Sequence, residues 1–240
     1  MGIRKIRIIC TLFILFSLSM VSAAQSEISY NIQYLIGNRK ANDLVKYLNT
    51  LDFSKLSNEE KCDVVIAYTE LYSWGGMGYN YSEKAYQLAD QLVKSLPEFW
   101  KSHYAMAVVL SHRVQKNNFL ALSLVGKIDD QLNLAMKYGE GHWEPFFLAG
   151  VRYLEVPIFP DLNTAEKLLK KALQFNDRHI YTYLMLGTLY EKRKDYCTAL
   201  EVYKKGFELN VRAEWKVVDE DAKAQIEIRI PEVGKLCTKK

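Results

Sequence analysis

The pattern Gly-x2-Tyr on one helical stretch, followed by Ala-x3 and a large side chain on the next, fits few folds, and this sequence carries it twice. Leu186-Gly187-x2-Tyr190 precedes Ala199-x3-Tyr203-x2-Gly206, and Ala149-Gly150-x2-Tyr153 precedes Ala165-x3-Leu169-x2-Ala172. Helical spacing puts each set on one face. The glycine lets a partner helix approach closely, the tyrosine fills the space between the two helices, and the alanine with its large neighbour completes the seam. His142 and His179 also match, each eight residues before its glycine. Two such hairpins in one register predict a stack.

Looser copies precede these two. Ile28, Ile32, Leu35 and Ile36, then Leu44, Val45, Leu48 and Leu51, flank a Gly37-Asn38 turn and predict a first hairpin. Ser57-x-x-Glu60 is a capping box opening the next helix, whose partner carries Ala85, Ala89 and Leu92 before Pro97. A third unit opens at Trp100 and a fourth at Trp143. Equivalent first positions are Glu60, Trp100, Trp143 and Ile180, at intervals of 40, 43 and 37 residues. This pattern resembles the tetratricopeptide repeat, whose period is about 34. The resemblance is fullest over 140–210 and thinner over 57–139. It implies an all-α, right-handed solenoid of about five helical hairpins with a C-terminal capping helix: a hairpin at 25–56, repeats at 57–97, 98–140, 141–177 and 178–211, and a cap and tail at 212–240. In the cap, Trp215, Val218, Ala222 and Ile226 fall at helical spacing, while Ile226-x-Ile228-x-Ile230 alternates as a short extended piece before Pro231 would.

Residues 1–24 read as a secretory leader: Arg4, Lys5 and Arg7 precede an apolar run from Ile8 to Val21 that ends in Ser22, Ala23 and Ala24. The expected location is periplasmic or secreted. Three of the 32 basic residues fall in that leader and none of the 28 acids, so the remainder balances at 29 against 28, or +1. That near-neutrality gives no electrostatic footprint for nucleic acid. Beyond the leader lie Cys62, Cys197 and Cys237. Either a tail returning over the last repeat pairs Cys197 with Cys237, or all three remain thiols.

No catalytic motif is present, no cofactor or metal is expected, and the chain does not read as an enzyme. Gly75-Gly76-Met77-Gly78 lacks the Lys-Ser/Thr of a phosphate loop and reads as a turn. His103, His112, His142 and His179 lack the one-turn spacing of a helical ligand pair and read as structural. The resemblance implies a concave face built from the first helix of each repeat. Carried over, its positions give Val64, Tyr68, Tyr72, Tyr104, Val108, His112, Phe147, Val151, Tyr181 and Leu184 as an apolar, aromatic groove. The length beyond the basic period falls at 74–81, 116–127 and 156–163, between the helices of single repeats. It predicts three apolar edge loops carrying Trp74, Tyr79, Phe119 and Phe159, packed against one another. The expected function is a scaffold that binds a protein or peptide in the groove. The alternative is an accessory of solute transport holding an apolar small ligand, similar to tetratricopeptide components of some periplasmic transporters.

Overall fold

The structure, a computed structural model, describes residues 25–155 and 160–238. The leader at 1–24, the Val156–Phe159 part of the third edge loop, and Lys239 and Lys240 lie outside the described residues. Five helical hairpins follow one another: α1 (Glu27–Gly37) with α2 (Ala41–Thr50), α3 (Asn58–Ser73) with α4 (Tyr79–Ser95), α5 (Trp100–Lys116) with α6 (Ala121–Tyr138), α7 (Trp143–Leu154) with α8 (Leu162–Phe175), and α9 (Ile180–Lys192) with α10 (Tyr196–Glu208). A last helix, α11 (Lys216–Cys237), caps them, and no strand occurs among the described residues.

Local chemistry sets the helix starts. Ser57 Oγ accepts from Glu60 N at 3.2 Å while Glu60 Oε2 accepts from Ser57 N at 2.8 Å, closing the capping box on α3. Asp161 and Asp195 cap α8 and α10 through their carboxylates. Within each regular hairpin the glycine makes room for one side chain. A Cβ at Gly187 would fall 2.2 Å from the Tyr203 ring, and one at Gly150 would fall 2.7 Å from Leu169. These contacts explain why the repeat needs glycine on its first helix and a large residue on its second.

Two expectations need correction. Much of the extra length is helix rather than loop: Tyr79 and Tyr81 belong to α4, and 121–127 form the first two turns of α6. Residues 226–230 are helical as well, because Ala222, Ile226 and Val233 are buried along one face while Ile228 is 64% exposed. That face outweighs the hydrogen bond lost at Pro231, which lies inside α11.

The first helices α1, α3, α5, α7 and α9 contact one another in sequence, and α11 extends the row from α9 back to α1. The ring closes at a 3-10 turn, Ala213–Trp215. Asn38 Nδ2 donates to the carbonyls of Ala213 and Glu214 at 3.2 and 3.3 Å, and Trp215 packs on the core of the N-terminal half. Gly37 permits this, since a Cβ there would lie 2.3 Å from Glu214 O and 2.7 Å from Trp215 Cα. The turn is held by Arg212, whose guanidinium bonds the buried Asp219 carboxylate at 2.7 and 2.9 Å. Arg39 and Asp221 add an ion pair at 2.6 Å, about half exposed and therefore worth little. At the far end of α11, Cys197 and Cys237 form a disulfide, and Cys62 is a free, buried thiol.

Two measurements test this arrangement. Because a backbone cannot yield as a flexible side chain does, Gly37→Ala should cost about 1–3 kcal/mol and speed amide exchange at Ala213–Trp215; unchanged exchange there would contradict the closure. Alkylation in denaturant without reductant should label Cys62 and spare Cys197 and Cys237. In the native protein Cys62 should resist as well, since burial pushes its thiol up to about 12.

Candidate functional site

The face of the ring formed by the first helices holds both the polar network and the exposed aromatic groups. Lys101 Nζ on α5 lies 2.9 Å from Glu59 Oε1 and 2.7 Å from Asp63 Oδ1, and Ser29 Oγ on α1 donates to Asp63 Oδ2 at 2.6 Å. Burial works against the Lys101 ammonium, but the Asp63 and Glu59 carboxylates outweigh it and hold its pKa above the ordinary value. Three helices are thereby fixed to one another by groups buried at 6% exposure or less in Ser29, Asp63 and Lys101. Sequence reading missed Asp63; its signal was a single acid in the otherwise apolar run Cys62–Ala67.

Tyr104 follows Lys101 by three residues on the same helix. Burial pushes its phenol well above the ordinary range, and the carboxylates of Glu144, Glu70 and Asp63 act in the same direction. The Tyr104 ring lies 6.0 Å from that of Trp100, one turn earlier on α5. The Tyr181 phenol is also raised, by burial first and by Glu155 next, with Arg39 and Asp221 of the closing segments acting on it in opposite directions. Phe147 lies beside Tyr181, edge-on to it at 6.1 Å and to His179 at 4.8 Å.

Tyr72, Tyr104, His112, Phe147, Val151 and Tyr181 are all partly exposed. Val64, Val108 and Leu184 are not groove residues: each is at most 7% exposed, because an inner helix is flanked on both sides and an apolar side chain there meets a neighbour. Tyr68 points elsewhere. Its hydroxyl accepts from Lys84 Nζ at 2.7 Å, and it borders a depression of about 300 Å³ shared with Leu48, Phe53 and Leu88. A second depression, of about 480 Å³, is lined by Leu96, Pro97, Phe99 and Tyr138, away from Tyr104 and Phe147.

The two equivalent histidines have a shared physical role. The His142 ring stacks on Trp100 at 3.9 Å, and the His179 ring lies 4.1 Å from Trp143, so each covers the tryptophan that opens the preceding first helix. His179 is buried, which keeps its pKa well below the ordinary value, and its Nδ1 lies 2.7 Å from Thr182 Oγ1. His112 differs: Nε2 lies 3.5 Å from Glu70 Oε1, and although burial opposes the charged ring, Glu70 outweighs it and raises the pKa. His112 Nδ1 and Glu144 Oε2 are buried without a hydrogen-bond partner. Among the described residues no group of three or more His, Cys, Asp or Glu is placed to hold a metal ion.

Of the edge-segment residues, Phe159 lies outside the described residues. Trp74, Met77, Tyr81 and Leu124 pack into the N-terminal core, whereas Tyr79, Phe119 and Leu122 are exposed.

No family model matches this chain. A curated relative, mouse BBSome complex member BBS4, is 36% identical over 93 residues, which is 38% of this chain and 17% of that protein. The chain therefore spans about a sixth of that relative's length. Among solved structures, yeast Tom70 is 17% identical with a TM-score of 0.53, covering 89% of this chain and 43% of that one. MamA from Desulfovibrio magneticus RS-1 is 19% identical with a TM-score of 0.47, covering 78% and 97%. The likeness to Tom70 concerns the fold: this chain is an all-α solenoid of tetratricopeptide-like hairpins.

The His112–Glu70 pair gives a signed prediction. With the folded pKa raised, the pair's contribution is fully present below the unfolded value near 6.5 and is lost as pH rises through the folded value. The gap in urea midpoint between wild type and His112→Gln should be wide at about pH 5.5 and narrower at about pH 8.5. A gap independent of pH would contradict it.

Proposed function

We propose that this chain is a non-enzymatic scaffold that holds a polypeptide partner against the inner face of its helical ring. The observation that carries the reading is the row of partly exposed aromatic side chains, Tyr72, Tyr104, Phe147 and Tyr181, on successive first helices of α3, α5, α7 and α9. Aromatic rings offer large contact area at low entropic cost and dominate the energetics of protein interfaces. Lys101 is already committed to Asp63 and Glu59 and is not available to clamp a carboxylate terminus. An extended or helical segment with apolar anchors suits the face better. That the mouse relative is a complex member accords with this role, as an analogy at the level of fold.

The same reading places the protein outside the cytosol. The leader pattern over 1–24 and the Cys197–Cys237 bridge both suit an exported chain, since disulfides persist in oxidising compartments. No described helix is long and apolar enough to cross a membrane.

Tyr104→Ala combined with Phe147→Ala should abolish recovery of the partner in affinity capture from the native envelope while leaving the helical circular dichroism intact. Undiminished recovery by that folded double variant would overturn the inner face as the binding surface. Tyr104→Phe, which keeps the ring, should retain the partner.

A further inference from the structure

The tip of the α5–α6 hairpin departs from the burial pattern of the rest of the chain. Phe119, in the 3-10 turn Asn118–Leu120, is 89% exposed, and Leu122, in the first turn of α6, is 98% exposed. Asn117 Oδ1 accepts from Phe119 N at 3.2 Å and fixes the 3-10 turn that presents them. Tyr79, 59% exposed, lies on the adjoining tip: Arg113 reaches its ring at 5.9 Å, and Lys116 Nζ donates to Ser73 O at 2.8 Å, tying the α3–α4 and α5–α6 ends together.

Charge around these side chains is one-sided. From Arg113 through Ile128 the chain contains no acidic residue, and Lys116 and Lys127 are exposed. Of the acids nearby, Glu83 pairs with Arg113, Glu70 with His112 and Asp129 with Arg152, while Asp130, one turn beyond Lys127, is exposed. The apex is apolar, and the exposed Lys116 and Lys127 flank it. A protein partner needs walls to pack against, whereas a fluid bilayer interface accepts protruding apolar side chains and rewards nearby lysines when its headgroups are anionic.

We propose that this tip seats the protein on an anionic lipid surface. Phe119 and Leu122 enter the boundary between headgroups and acyl chains, Tyr79 lies at the interface with its hydroxyl toward water, and Lys116 and Lys127 meet the phosphates. The tip adjoins the inner face at Tyr72, whose ring lies 6.0 Å from that of Tyr79 and 5.7 Å from Lys116 Nζ, whereas Phe119 and Leu122 are not among the inner-face residues, so the Phe119/Leu122 variant tests the tip apart from the scaffold role.

The test is co-sedimentation of the protein, as recovered from its producing cells, with vesicles of phosphatidylglycerol and phosphatidylcholine or of phosphatidylcholine alone. Binding should favour the anionic vesicles and fall with added salt. Phe119→Ser with Leu122→Ser, and separately Lys116→Glu with Lys127→Glu, should each weaken it about tenfold. Unchanged circular dichroism establishes that both variants fold. No binding to anionic vesicles, equal binding to neutral ones, or binding that survives the Phe119/Leu122 variant would overturn the proposal. So would a wild-type dimer that the same variant converts to monomer, since the tip would then be a contact between copies.

Discussion

A stack of helical hairpins buries apolar faces only where a neighbour covers them, so an open stack leaves two unsatisfied ends. In this chain the two ends meet. Asn38 bonds to the carbonyls of Ala213 and Glu214, Trp215 packs on the N-terminal core, and Gly37 leaves no Cβ in the way. The energy of this contact rests on packing and on the Asn38 side-chain amide bonded to backbone carbonyls rather than on Arg39–Asp221, which is half exposed. Once the ends meet, the first helices turn one face toward each other, and the tyrosines and carboxylates of that face come under burial.

Much of the fold was legible because its determinants are local. Glycine opposite a large residue within one hairpin, the Ser57–Glu60 capping box, and first helices opening at Trp100, Trp143 and Ile180 are all readable at short range. What was not legible depends on partners far apart in sequence. Asp63 meets Lys101 across adjacent repeats, and Gly37 meets Glu214 across the whole fold. The alternation Ile226-x-Ile228-x-Ile230 pointed to an extended piece because periodicity over five residues cannot record that α9 and α10 cover one helical face of α11. For the same reason the groove was only half readable. Helical position identifies residues such as Tyr104 and Val108 as inward, but the neighbouring helix decides which is covered, and it covers Val108 while leaving Tyr104 partly open.

The inner face also combines two kinds of group that ordinarily exclude each other. Lys101, Asp63 and Ser29 are matched and buried, and such a network favours one register over others more than it adds stability. Beside it, Glu144 and His112 keep buried atoms with no partner, the costly alternative. Rigid matching on one side and unmet polar capacity on the other distinguish the part of the face that organises the ring from the part left over once the ring is formed.

Closure changes the statistics of the repeat array. A linear array melts inward from its terminal units, because each end has one interface where internal units have two. A ring has no such unit. Opening of the first hairpin must also break the contact of Gly37 and Asn38 with 213–215, which links α1 to the segment that follows the last hairpin. Fraying, the cheapest motion of an open solenoid, is thereby converted into a cooperative event shared by both termini.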